Sequence, residues 1–195
     1  MKLDIKKIKN NLKTFFIGQN IIYKEEISST QDEAKRLIDE LPDGSYIVTD
    51  KQTKGKGTHG RVWYDQGYEN ICGTFVLKPN CNISKLENLT ILIAECMVEA
   101  INNLYKINLQ IKYPNDIMCN SKKIAGILTE SVTNNEIVKC IYIGIGMNVN
   151  QITFDDEIKE IATSLKNEYK NEFSRENIIS EFFNIFEQRY VNIVK

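Results

Sequence analysis

The sequence predicts an α+β fold, a mixed and mainly antiparallel β-sheet covered by helices. Three observations carry this. The middle of the chain reads as a meander of strands, NLQIKYP, DIMC, KIAGILTESV and IVKCIYIGIGMNVN, parted by turn signals at Asn120-Ser121 and Asn134-Asn135. Just before the meander, Leu89, Leu92, Ile93, Cys96, Met97, Ala100, Ile101 and Leu104 form one apolar face of a long helix within Ser84 to Tyr105. Elsewhere strands and helices are interspersed without a regular strand–helix alternation, which favours a mixed sheet.

From the N-terminus, Ile8, Leu12 and Phe15 share one face of a short amphipathic helix over Lys6 to Phe15, and IIYKEEI follows as a strand ending at Ile27. Ser28-Ser29-Thr30 offers capping hydroxyls to a second helix with Ala34, Leu37, Ile38 and Leu41 on its buried side. Leu41-Pro42-Asp43-Gly44 turns the chain into the strand SYIVTDKQ. Residues Thr53 to Gly60 form a glycine- and lysine-rich loop with no apolar anchor, expected to be mobile when empty, and NICGTFVLKP is a strand. The tail predicts helices over roughly Glu157 to Tyr169 and Arg175 to Ile193, the second opening on Ser174 and Asn177 in a capping-box pattern. No repeat, linker or low-complexity segment interrupts the chain, so one domain over 1–195 is expected.

Composition narrows the function. Lys plus Arg total 25 against 26 Asp plus Glu, so no general attraction to DNA or to an anionic membrane is expected, and any anion site must be local. The five scattered cysteines form no C-x-x-C pair, and His59 is the chain's one histidine. A disulfide framework or zinc site is therefore not expected, and a reducing, cytoplasmic setting fits. The opening MKLDIKKIKNNLKTFF is too charged for a signal-peptide core, and no run approaches the roughly 18 apolar residues of a membrane span.

Three segments can do chemistry. In GKGTHGR, Gly55, Gly57 and Gly60 with Lys56 and Arg61 could close backbone N–H groups and cations on a phosphate or carboxylate. It is no P-loop, because Arg61 and Val62 replace the Lys and Ser/Thr that must follow Gly60. In KYPNDI and KKIAGILTE, Pro114 marks an exit from a strand, placing Asn115 and Asp116 at an edge or bulge where they can face a ligand. Asp116 could position a magnesium ion or an amine, Lys122 or Lys123 could meet a carboxylate or phosphoryl oxygen, and Gly126 admits close approach. In GIGMNVN, Gly144 and Gly146 interrupt an apolar strand, as at a bulge or a close contact, and Asn148 and Asn150 offer amides to a base or ribose. Each segment alone also reads as an ordinary loop, hairpin or strand end.

In this order, S-S-T-Q at 28–31, the run from Gln52 to Trp63, K-Y-P-N-D-I, K-K-I-A-G-I-L-x-E and G-I-G-M-N-V-N resemble the catalytic domain of biotin protein ligases, over about Ile21 to Asn150 and more loosely beyond. The resemblance implies a class II aminoacyl-tRNA-synthetase-like fold and a two-step reaction. ATP, with Mg2+, adenylates biotin, and the acyl group passes to a lysine of a biotin carboxyl carrier protein domain of acetyl-CoA carboxylase or another biotin-dependent carboxylase.

Carried over by position, Ser29, Thr30 and Gln52 would bind the biotin head, and Gly55, Lys56 and Gly57 the loop over its tail. Arg61 would secure the anionic end, Trp63 would form a wall against biotin and adenine, and Lys123 would bridge carboxyl and phosphate. Lys112, Asn115 and Asp116 would lie beside the phosphates, with Asp116 orienting the acceptor amine. Gly126 and Gly144 would touch biotin, and Asn148 the adenylate. The catalytic set implied is Lys123, Arg61, Lys112 and Asp116.

The chain departs from the pattern at Thr58, where an arginine is common, which implies a weaker hold on the adenylate, and at Gln31, where asparagine is frequent. The ends depart further: only about twenty residues precede the first matching strand, so the winged-helix DNA-binding module of longer relatives is not expected. Nor is the small C-terminal β-barrel that many relatives carry, and a monomer or weak homodimer is expected. The competing readings are a lipoate or octanoate ligase and a non-catalytic biotin or adenylate sensor.

Overall fold

A computed structural model describes residues 1–194. Seven strands form one mixed sheet in the order β1-β2-β3-β8-β7-β6-β5, with a short eighth, β4, pairing with β8. The strands are β1 (Ile21–Ile27), β2 (Tyr46–Gln52), β3 (Ile71–Leu77), β4 (Cys81–Asn82), β5 (Gln110–Lys112), β6 (Asp116–Cys119), β7 (Lys122–Asn134) and β8 (Ile137–Met147). Only β1 and β2 run parallel, with helix α2 (Thr30–Arg36) connecting them; the other pairs are antiparallel. This bears out the mixed, mainly antiparallel sheet.

One face of the sheet packs on α3 (Leu89–Tyr105) and α5 (Arg175–Val194), where Phe75 sits edge-on to Phe182, Phe183 and Phe186 with centroids 5.3–5.9 Å away. Such contacts between quadrupolar rings add to plain area burial. All of Leu89, Ile93, Cys96, Met97, Ala100 and Ile101 are buried, as the helical spacing requires. A smaller apolar cluster, Ala34, Leu41, Ile47, Val76, Cys140 and Tyr142, fixes α2 to the other face. That face is covered by α2 over only part of its width, and the remainder holds the site.

The turn signals hold: Asn120, Ser121 and Asn135 all have positive φ, 46°, 69° and 53°. Two tail and head expectations do not. The first helix, α1 (Ile5–Asn11), stops before Phe15, which is 95% exposed, because the backbone N–H groups of Phe15, Phe16 and Ile17 turn instead onto the buried Glu187 carboxylate. The helix expected from Glu157 shrinks to α4 (Leu165–Tyr169). Residues 161–163 spend their backbone groups on β7: Lys123 N–H donates to Ile161 O at 2.8 Å and Thr163 N–H to Lys123 O at 2.9 Å. Ser174 does cap α5, accepting from Asn177 N–H at 3.3 Å, while the Asn177 side chain goes to Asn11.

The N-terminus is tied to the core by a buried ion pair. Asp50 on β2 meets Arg175 Nη1 at 2.9 Å, also accepts from Leu3 N–H and the Tyr23 hydroxyl, and has no exposed side-chain surface. Burial and the Asp50 carboxylate together push the Tyr23 hydroxyl well above the usual phenol range. The five cysteines are all free, and burial pushes Cys72, Cys119 and Cys140 above the usual thiol range, Cys72 furthest. No helix among the described residues is long and apolar enough to cross a membrane.

Candidate active site

The site is built on glycines. Gly126 on β7 and Gly146 on β8 are cross-strand partners, and the Trp63 indole lies flat across them. A Cβ at Gly146 would stand 2.3 Å from the ring, closer than side chains allow, and one at Gly126 would be tight, 3.0 Å from Lys123 Nζ and 3.2 Å from the ring. The gap in side chains along both strands is therefore a seat for an aromatic ring. Gly144, two residues earlier on β8, makes room for Gln31, whose Oε1 would be 2.8 Å from a Cβ there. The space at these glycines is taken by the chain's own Trp63 and Gln31, and the register of β8 is regular at Gly144 and Gly146, its irregularity lying at Lys139 opposite Val132 and Thr133.

Trp63 divides two pockets. The inner one, about 450 Å³, is floored by Ser29, Thr30, Gln31, Gln52, Thr74 and Gly144, and walled by Asn115, Gly126, Ile127 and Leu128. Ser29 caps α2 by accepting from Asp32 N–H, which sets Thr30 and Gln31 at the helix start facing the sheet. Gln52 Oε1 accepts from both Thr30 N–H (2.8 Å) and the Thr30 hydroxyl (3.1 Å), which leaves its amide nitrogen, beside Gly55, as the free donor of this side chain. Behind Gln52, Asp65 accepts from its backbone N–H at 2.8 Å.

The outer pocket, about 1080 Å³ with its open mouth, is lined by Arg61, Tyr64, Lys112, Asp116, Met118 and Asn148, and by Ile158, Ile161 and Ala162 from the segment pinned to β7. Gly57, Thr58, Trp63 and Lys123 border both pockets. Lys123 Nζ lies 5.7 Å from the Trp63 ring centroid and 2.6 Å from Asp116 Oδ1. The Asp116 contact is an ion pair off the hydrogen-bond line, and Asp116 Oδ1 has no hydrogen bond of its own.

The glycine loop is less free than its sequence implies. A bridge pairs Lys56 with Val62, Trp63 N–H donates to Gly55 O, and Lys56 Nζ reaches Asp32 at 2.6 Å. Gly55 itself closes the loop base, since a Cβ there would stand 2.4 Å from Trp63 O, and it lines neither pocket. Arg61 folds back on Thr58, donating to its carbonyl at 3.1 Å and its hydroxyl at 2.8 Å. Of the cations expected to meet an anion, Lys56, Arg61 and Lys123 thus hold acceptors of the chain itself, Lys122 donates to Lys159 O at 3.0 Å, and Lys112 lines the outer pocket.

Of the residues carried over by position all but Gly55 converge: Ser29, Thr30, Gln52, Lys56, Asn115, Gly126 and Gly144 on the inner pocket, Arg61, Lys112, Asp116 and Asn148 on the outer, and Gly57, Trp63 and Lys123 on both. Asn148 is buried with its amide donating to Thr163 O at 3.1 Å. Asn150 lies apart, exchanging hydrogen bonds with the Phe173 backbone, so its expected role toward a base or ribose does not hold. Sequence reasoning missed Thr74, the seat at Gly146 and the apolar rim of Ile158 and Ile161. Gly146 had its signal in the broken strand; the rim residues come from a segment read as helix.

A mixed sheet thus lays an aromatic ring between two pockets, with a lysine at their junction. A sequence profile of the biotin/lipoate A/B protein ligase family matches residues 23–148, and the chain belongs to that family. The bifunctional ligase/repressor BirA of Bacillus spizizenii is 41% identical over 192 residues, covering 97% of this chain and 59% of that protein. The biotin–[acetyl-CoA-carboxylase] ligase of Paracoccus denitrificans is 32% identical over 123 residues, 62% of this chain and 51% of that one. Among solved structures, the biotin protein ligase from Aquifex aeolicus in complex with biotin and ATP matches with a TM-score of 0.75 at 29% identity, covering 89% of this chain and 71% of that one. The chain spans a little over half the length of these two curated relatives.

Proposed function

We propose that this chain carries the catalytic unit of an ATP-dependent biotin protein ligase. One observation supports this most: Lys123 borders both pockets, so a single cation can serve a carboxylate ending in the inner pocket and a phosphate beginning in the outer one. In the first step a biotin carboxylate oxygen attacks the α-phosphorus of ATP, the α–β P–O bond breaks, and pyrophosphate leaves. Two anions must meet, and the Nζ of Lys123, with Arg61 and Lys112 along the outer pocket, offsets their repulsion and the charge of the in-line transition state. In the second step the carrier lysine attacks the acyl carbon of the mixed anhydride and AMP leaves.

The amine arrives protonated in water, with a pKa of roughly 10.4, and must lose a proton to attack. Asp116 Oδ1, ion-paired with Lys123 at 2.6 Å in the ligand-free chain and without a hydrogen bond of its own, becomes the acceptor beside the junction once Lys123 turns to the anions. The head pocket supplies selectivity. Gln52 donates and Gln31 accepts, a pairing suited to a cyclic urea that offers both N–H and C=O. Trp63 separates acyl chain from nucleotide, and Met118, Ile158 and Ile161 give the base an apolar bed. In this reading Ser29 and Thr30 hold the head, Gly126 and Gly144 back the acyl group, and Asn115 and Asn148 stiffen the strands beside the nucleotide.

Among the described residues no cluster of three or more His, Cys, Asp or Glu is placed to hold a metal ion. Magnesium accordingly enters as part of the nucleotide substrate, neutralising the leaving pyrophosphate, with Asp116 the carboxylate nearest to it. The acceptor is a biotin carboxyl carrier domain, and Thr58 supplies no charge toward the adenylate. Pyrophosphate exchange into ATP tests the first step alone. Exchange that depends on biotin and is not supported by lipoate or octanoate is the expected result; exchange driven by lipoate and not by biotin would overturn it.

A further inference from the structure

Gln31 is 2% exposed, and its amide can sit in only one orientation. Its nitrogen faces Glu130 Oε2 at 2.8 Å and Tyr142 O at 3.3 Å, and a carboxylate and a carbonyl can only accept. Flipping the amide would set oxygen against oxygen at both contacts. The carbonyl must therefore face the pocket, where Thr74 Oγ1 lies 3.0 Å away with its one proton shared between this oxygen and Thr30 Oγ1 at 2.9 Å, so that at least one lone pair remains. Glu130 is held in turn by Lys35 Nζ, 2.8 Å from the same oxygen, and Lys35 lies 5.8 Å from the Tyr142 ring centroid. Burial raises the Glu130 carboxyl, but its bonds to Lys35 and Gln31 outweigh this and hold it below the usual range, so it is a fixed acceptor at neutral pH.

We infer that Glu130, braced by Lys35 and outside the pocket itself, is a positioning residue that turns the Gln31 carbonyl inward and so makes the head pocket select ligands that present an N–H donor there. This rests on the inner pocket being the head-group site. A head without a donor would leave the buried Gln31 oxygen short of a partner, which is how hydrogen-bonding sites reject analogues strongly.

The test uses the full chain with Glu130→Leu, Glu130→Gln and Gln31→Leu. Losing a charge-assisted bond that fixes the amide should weaken biotin binding by about tenfold in Glu130→Leu. Glu130→Gln, whose Oε1 can still accept from Gln31, should recover to within about threefold of the native chain. The KM for biotin should carry the loss while kcat for adenylation at saturating biotin stays within about twofold, because Glu130 touches no reacting atom. Biotin affinity of Glu130→Leu within twofold of native, or a fall in kcat at unchanged KM, would overturn the inference.

An arm without ligand separates the two readings. The Gln31 side-chain amide proton resonances, assigned by their loss in Gln31→Leu, should shift in Glu130→Leu; an unchanged resonance overturns the inference whatever the chain binds. A native chain that binds no biotin while the resonance does shift defeats the head-group reading and, with it, the selectivity claim.

Discussion

Lys123 Nζ stands 2.6 Å from Asp116 Oδ1, with the two side chains on adjacent strands β7 and β6 and at the seam between two pockets. Both are partly exposed, so the pair adds little to stability. Its value is chemical, because it places a cation and a proton acceptor at one reacting centre. Lys123→Met should therefore lower biotin-dependent pyrophosphate exchange by about 10²–10³-fold with a small change in melting temperature. Asp116→Asn should spare exchange more than acyl transfer, which single-turnover measurement of the two steps resolves.

Trp63 is the chain's one tryptophan, so its seat on Gly126 and Gly146 can be watched directly. Gly146→Ala puts a methyl group where the indole lies and must lift the ring off the sheet. Its emission should change in the ligand-free protein, and exchange activity should fall by about tenfold or more, the scale of loss from misplacing a positioning wall. Unchanged emission with full activity would contradict the seat.

The Asp50–Arg175 pair is buried at both ends, with side-chain exposures of 0% and 5%. Arg175→Met would strand a buried carboxylate that Leu3 N–H and the Tyr23 hydroxyl cannot neutralise. A loss of roughly 3–5 kcal/mol is expected by denaturant titration, against a small loss if the pair were solvated.

Carboxylates held below their usual range set the acid limit, Glu25, Glu33, Glu130, Glu168 and Glu176 among them. Glu168 is held below the usual range chiefly by the Thr163 hydroxyl, against burial. For Glu176, burial pulls upward and is outweighed by bonds from its own backbone N–H, Ser174 and Asp4 N–H. A carboxyl whose folded value is depressed contributes stability above its unfolded value, about 4.3, and loses it as pH falls through the folded value. The melting temperature should stay level from neutrality to about pH 5 and then drop. Glu176→Gln should melt below the native chain at pH 7 and converge with it near pH 3.

Much of this was legible in the sequence, for identifiable reasons. The apolar face of α3 and the asparagine turns of the meander follow from local rules, and the broken strand at Gly144 and Gly146 announced something pressed against the sheet. The motif residues met at one site because three of their five segments lie at the start of α2 and on β7 and β8, a fourth spans the β5–β6 turn, and the glycine loop leaves directly from the end of β2. What was not legible depends on partners distant in sequence. Phe15 leaves the helix for Glu187, 172 residues on, and Ile158 and Ile161 become a pocket rim because residues 161–163 pair with Lys123. The glycine loop looked unanchored, since its one tie to α2 is the polar contact from Lys56 to Asp32 and its base is closed by backbone pairing, both invisible to an apolar pattern.

The central claim is that the chain moves biotin onto a carrier lysine through Lys123. Intact-mass spectrometry of a biotin carboxyl carrier domain incubated with the chain, ATP, Mg2+ and biotin measures this directly. The account predicts one added biotinyl group on the carrier, absent without ATP and abolished in Lys123→Ala. An unmodified carrier, or the same addition with Lys123→Ala, would contradict it.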